Sequence, residues 1–259
     1  MKYKLKQVVL SNEFYISILF SITNFVQNIV NSFDFTQTNN GAIMMTFDDG
    51  CESVYRNAFP IMKSMGIVGN VAVITDKIGC EGYLNLNQLL ELQDEGWSIV
   101  SHTKSHPNIS QLDKEDLINE LEESKNKLKN LGFKGFNAFV VPFHYFDNKS
   151  MIYVRRLYSL SRNSSNKGMR LLGRFGVYKL LDYPLINKHN LPSLPIEDFY
   201  DVEAGLNKIK KFIDFSISHQ KYGAMYTHGL SDDNIVAFRR ITEFMSKHKK
   251  NVININDLL

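Results

Sequence analysis

Short apolar runs alternate with helical segments along most of this chain, and that alternation constrains its fold more than any other feature. Runs over residues 42–47, 68–75, 97–101, 136–141, 224–227 and 252–255 read as strands. The intervening residues 52–65, 87–95, 114–131, 151–160, 203–219 and 235–247 predict helices, the third opened by Asp113 as N-cap and closed by Gly132. A less regular stretch follows residue 160 and runs to Pro195. Apolar strands separated by helices call for a parallel sheet covered by helices. At 259 residues the chain suits a closed barrel, with an open doubly wound sheet as the alternative.

The first 40 residues have a different character. Lys2, Lys4 and Lys6 precede an apolar stretch as a secretory signal does, yet Glu13 interrupts it and no small-x-small cleavage site follows. Tyr15, Ile18, Leu19, Ile22, Phe25, Val26, Ile29 and Val30 recur at spacings of three and four, opposite Ser17, Ser21, Asn24 and Asn28. This predicts an amphipathic helix in a 1–40 extension ahead of a 41–259 domain, not a transmembrane span. Packing on the domain is the plainer use of its apolar face; membrane-surface contact is the alternative. A cytoplasmic location is expected, with the cell envelope or secretion as the alternative. The 30 basic and 27 acidic side chains are interspersed, giving a net charge of +3 without a basic tract, so nucleic acid is not an expected partner. Cys51 and Cys80 show no C-x-x-C spacing.

Polar residues cluster where the strands end. Asp48 and Asp49 follow the first strand, His102 and His106 the third, His144 the fourth, and His228 the next-to-last. In a parallel barrel all these ends lie on one face, where active sites are built. Residues nearly 180 positions apart therefore converge.

In Thr46-Phe47-Asp48-Asp49-Gly50, neighbouring carboxylates leave a strand end in different directions and can do different work. One can bind a cation while the other accepts a proton from water; the plainer alternative is an Asp-Asp-Gly turn capping the next helix. In Ser101-His102-Thr103-Lys104-Ser105-His106-Pro107, two imidazoles four apart share a face if the turn is helical, close enough to hold one ion. Surface or capping histidines are the alternative there.

Together these two segments resemble the first two motifs of the polysaccharide deacetylase family, the NodB-homology or carbohydrate esterase family 4 group. Residues 84–99 are similar to the helix and strand ahead of the second motif, and 112–131, with Glu120, Glu123, Ser124 and Leu128, to the helix after it. Val141-Pro142-Phe143 is similar to the third motif, Met225-Tyr226-Thr227-His228 to the fifth, and 252–258 to the closing strand. The resemblance implies a distorted (β/α) barrel of seven to eight parallel strands holding one divalent metal: zinc foremost, cobalt, nickel or manganese otherwise. It implies Asp49, His102 and His106 as metal ligands, Asp48 as catalytic base and His228 as the acid that protonates the departing amine. The Phe143 backbone N–H would stabilise the oxyanion, with His144 as a substrate contact. The implied activity is metal-dependent hydrolysis of N-acetyl groups on an N-acetylglucosamine-containing glycan.

The sequence departs from the family pattern at three places. Val140 stands where many members have an arginine that orients the base, His144 replaces a usual glycine, and Ser193 occupies a position often held by arginine in the branch acting on exopolysaccharide N-acetylglucosamine chains. Val140 and Ser193 motivate one alternative, a carbohydrate-binding pseudoenzyme of the same fold; a deacetylase or amidase acting on a small non-polymeric amide is the other. Cys51, beside the acidic motif, reads as a small helix-start residue rather than a redox gate. Phe143, Tyr145 and Phe146 form an aromatic cluster suited to stacking on sugar faces.

Overall fold

The computed structural model describes residues 41–163, 181–182, 185, 188–189, 191–197 and 203–259. The amphipathic helix expected within 1–40 lies outside the described residues. Eight strands form one sheet: β1 (Ala42–Phe47), β2 (Asn70–Val73), β3 (Ser98–Ser101), β4 (Ala138–Val140), β5 (Leu160–Arg162), β6 (Leu181–Asp182), β7 (Ser193–Pro195) and β8 (Lys221–Thr227). All pair in parallel except β6, which runs antiparallel to the start of β8. Seven parallel strands therefore make a nearly closed, distorted (β/α) barrel. Its seam is carried by backbone bonds from β5 to the segment ahead of β7: Ser161 N–H to the Lys188 carbonyl, Leu191 N–H to that of Ser161, and Asn163 N–H to that of Leu191.

Helices α1 (Phe59–Ser64), α2 (Leu86–Asp94), α3 (Lys114–Asn130), α4 (Asn148–Leu157), α5 (Glu203–Ser218) and α6 (Ile235–Ser246) surround the strands. Their starts are written locally. Asn85 and Gln88 close a capping box at α2, the Asp113 carboxylate accepts the Asp116 N–H at α3, and Asp147 and Ser150 close a box at α4. Strand alternation then sorts the side chains. Met44, Ala72, Val100, Ala138, Val140, Leu160 and Ala224 fill the barrel interior, whereas Ile43, Met45, Phe47, Val71, Val73 and Ile99 pack outward on the helices.

Three expectations need correction. The helix expected over 151–160 spans Asn148–Leu157, because the Asp147 box starts it earlier and Tyr158 is already extended; Leu160–Arg162 is a strand. The stretch expected to be irregular up to Pro195 contains β5, β6 and β7. The strand expected over 252–255 is reduced to one bridge from Val252 to Ile43, after which a 3₁₀ turn over Ile255–Leu258 seals the N-terminal mouth of the barrel. There Ile255 donates its N–H to the Asn70 side chain and Asn256 to Ser98 Oγ.

Candidate active site

At the opposite mouth, β1 delivers two adjacent carboxylates to different neighbourhoods. The Asp48 N–H bonds the Thr227 carbonyl at 2.9 Å, extending the ladder with β8 by one residue. Asp48 is 1 % exposed and continues the inward-facing series of Met44 and Thr46. The backbone then turns left-handed, with φ 72° at Asp49 and 78° at Gly50. Only glycine holds the second of these without strain, and a Cβ there would press on Val73. The turn aims Asp49 at the loop after β3.

That loop is not the helical turn in which spacing alone would put the two imidazoles on one face. Thr103 and His106 both have positive φ, 66° and 71°, and the His106 N–H bonds Thr103 Oγ1. Glu120 of α3 clamps the loop by accepting the N–H groups of Lys104 and Ser105 and the Ser105 hydroxyl. The two imidazoles meet all the same, with their Nε2 atoms 3.1 Å apart. His102 Nδ1 lies 2.8 Å from the Val140 carbonyl. A carbonyl only accepts, so Nδ1 carries a proton and Nε2 is the ring nitrogen turned toward the cluster.

Asp49 Oδ1 lies 3.4 Å from His102 Nε2 and 3.3 Å from His106 Nε2. It is buried, with no hydrogen-bond partner among the described residues. Donors about 2.1 Å from a common ion, at tetrahedral to octahedral angles, stand about 3.0 to 3.4 Å apart. The one-carboxylate, two-imidazole set Asp49, His102 and His106 thus fits a divalent cation. The protonation states of Asp49 and His106 suit that use. Burial works against ionisation of Asp49, but His102, followed by the charges of His228 and His106, outweighs it and holds the carboxyl below its usual range. Burial, then the neighbouring His102, pushes His106 down to about 4, so its imidazole is neutral.

Asp48 points into the barrel, where Arg162 Nη2 lies 2.5 Å from both of its oxygens, and the Asp48 charge also acts on His106, His144 and His228. Arg162 is fully buried. Its Nη1 donates to Ser193 Oγ at 2.7 Å, and its guanidinium lies 4.9 Å from the Tyr226 ring centre. Reading the sequence missed this residue, because an arginine in Leu-Ser-Arg ahead of a polar stretch gives no sign of a buried strand. The register pairing of Arg162 with Val140 is visible only in the sheet.

His228 follows β8 and meets a partner that the sequence also concealed. Asp232 and Asp233 are nearest in sequence, but Glu197 receives both the His228 N–H, at 2.6 Å, and Nδ1, at 2.8 Å, together with the Thr227 hydroxyl. That hydrogen bond to Glu197, working against burial, raises His228 to about 9, so the ring is an imidazolium at neutral pH. Glu197 itself is held low: burial opposes its ionisation, and His228 outweighs it.

Phe143 and His144 complete the rim, both with positive φ, 52° and 60°. The Phe143 ring is 53 % exposed and stands edge-on to His106 with centres 4.4 Å apart. His144 packs on Tyr226; burial, then the Arg162 charge, pushes it down to about 3 and keeps it neutral. Of the six non-glycine residues with positive φ among those described, five lie in these loops: Asp49, Thr103, His106, Phe143 and His144. Strain concentrated at one mouth marks it as the functional end. Cys51 is a free thiol at the start of the segment leading to α1; burial and then the Asp49 charge push it up, so it stays protonated.

Comparison with known proteins agrees with this geometry. Residues 36–158 match the family described as polysaccharide deacetylase. Over 89 residues, 34% of this chain, it is 32% identical to YxkH of Bacillus subtilis, a protein provisionally named a polysaccharide deacetylase, of which 32% is covered. Over 87 residues, 31% of this chain, it is 32% identical to a poly-β-1,6-N-acetyl-D-glucosamine N-deacetylase of Staphylococcus aureus, of which 30% is covered. The match thus spans about a third of the length of these curated relatives. The structure of peptidoglycan deacetylase PdaC from Bacillus subtilis shares the fold, with a TM-score of 0.58, 12% identity, and coverage of 86% of this chain and 92% of that one. With its motifs, family match and barrel in agreement, the segment 36–158 belongs to the polysaccharide deacetylase family.

Proposed function

We propose that this protein hydrolyses the N-acetyl group of an N-acetylglucosamine-containing polysaccharide. The observation that carries this reading is the division of labour between Asp48 and Asp49, adjacent in sequence yet turned to a buried guanidinium and to two imidazoles respectively. Asp49, His102 and His106 would hold one divalent ion, for which we propose zinc. When bound, the ion supplies Lewis acidity toward the acetyl carbonyl and makes a coordinated water more acidic.

The protein's own groups do the rest. Asp48 takes a proton from the attacking water as its oxygen bonds to the acetyl carbon. The Phe143 backbone N–H hydrogen-bonds the carbonyl oxygen as negative charge grows there. His228, charged at neutral pH through Glu197, gives its proton to the sugar nitrogen as the C–N bond breaks. The products are acetate and a free amino sugar. The exposed rings of Phe143 and Tyr145 offer apolar faces for the sugars.

The staphylococcal relative is named for a β-1,6-linked polymer and the PdaC neighbour for peptidoglycan. Both names favour the cell envelope, so we place the site of action there rather than in the cytoplasm. No helix among the described residues is long and apolar enough to cross a membrane. Acetate release measured across chitin oligomers, β-1,6-linked N-acetylglucosamine oligomers and lipid-linked amino sugars tests the proposal. Turnover of any of these polymers removes the pseudoenzyme alternative. Silence on all of them, with turnover of a small acetamide, would replace the polymer with a small amide substrate.

A further inference from the structure

Val140 and Ser193, the two positions where the resemblance leads one to expect an arginine, lie in one layer of the barrel interior, and Arg162 lies between them. Val140 is its register partner on the neighbouring strand β4. Ser193 of β7 accepts a hydrogen bond from its Nη1–H and donates its own hydroxyl to the Asn163 carbonyl. A side chain the size of arginine at either position would compete for the same volume, since all three residues are buried.

We propose that Arg162 is the positioning residue for Asp48, a guanidinium relocated to β5, so that valine and serine at the expected positions make room for it rather than mark a loss of activity. This inference rests on the deacetylase reading above. One nitrogen of the fork spans both Asp48 oxygens and the other is tied to β7, so the carboxylate has one orientation. A base held this way keeps its alignment to the attacking water, and misplacement of about 1 Å is enough to cost about a hundredfold.

The experiment relocates the guanidinium. Wild type, Arg162→Val, Arg162→Lys and the double variant Arg162→Val/Val140→Arg are compared for kcat and KM on the best acetylated glucosamine oligomer, for zinc content and for the folded far-UV signal. Arg162→Val is expected to lose about a hundredfold in kcat, with KM and zinc content nearly unchanged. Arg162→Lys recovers part of this loss, because an ammonium cannot form the fork. The double variant regains at least about tenfold over Arg162→Val, which a purely structural role would not produce. An active wild type with an equally active Arg162→Val overturns the proposal alone, as does a double variant that fails to fold or to regain turnover. A wild type that releases no acetate from any substrate refutes the deacetylase reading and the proposal with it.

Discussion

The two halves of the barrel build their share of the site in opposite ways. In the half from β1 to β4, the groups that meet are encoded in short segments: Asp49 in a turn of two left-handed residues, His102 and His106 in a five-residue loop closed by Thr103 and Glu120. In the half from β5 to β8, each functional group depends on a partner far along the chain. Arg162 reaches Asp48 across 114 residues and Glu197 reaches His228 across 31. In the proposed mechanism the first half binds the ion, and the second sets orientation and protonation of the groups that move protons. The family match, over 36–158, stops where the second half begins. Chemistry held by backbone turns is therefore recognisable in a segment, whereas chemistry held by long-range ion pairs can move from strand to strand while the interior layer stays the same.

That contrast can be broken most sharply on the first half. His102→Ala with His106→Ala should lower zinc affinity by well over a hundredfold, read as metal content by elemental analysis after dialysis. Full occupancy in the double variant would remove the proposed centre. At the junction of the two halves, Asp48→Asn should retain zinc and lose at least about a hundredfold in deacetylation. It should also lower the melting temperature, because the buried Arg162 loses its counter-charge, at a cost of about 3 kcal/mol. Metal and activity disappearing together would show that the two carboxylates do not have separate roles.

Effects in the second half should be selective. His228→Ala should leave metal content unchanged and slow hydrolysis of an N-acetyl sugar at least about tenfold more than that of an activated acetate ester, whose leaving group needs no proton. Equal losses on both substrates would make His228 a substrate-positioning group. The smallest effect at neutral pH is expected from Glu197→Gln. His228 must be protonated to act; with its pKa raised to about 9, activity is held through neutral pH and declines as pH rises through 9. Removing the Glu197 charge should bring that decline down toward the ordinary histidine value of about 6.5, a loss of only about fourfold at pH 7. A kcat profile whose alkaline limb does not move would assign the raised pKa to another neighbour.

Reading along the chain found the strands that are apolar on both faces, and with them β1, β2, β3, β4 and β8. It did not find β5, whose three residues include a serine and an arginine, because a buried guanidinium is acceptable only once its carboxylate partner is in place. Asp48, Asp49, His102, His106, His144 and His228 were legible as residues at strand ends, and Phe143 through the family resemblance. Arg162 and Glu197 were not, since nothing near them in sequence announces a partner, and Ser193 was marked only as a departure from the family pattern. The convergence of His102 and His106 does not come from a helical turn: positive φ at Thr103 and His106, in a loop held by Glu120, brings the rings together.

Periodicity and strand-end chemistry, which depend on neighbours in the chain, were determined by the sequence alone: an α/β barrel with acids and imidazoles at one mouth. Tertiary structure decided which carboxylate faces which cation, where the orienting guanidinium comes from and why His228 is charged. These depend on barrel closure, because only the closed ring brings β1, β5, β7 and β8 within hydrogen-bonding distance in an interior from which water is excluded.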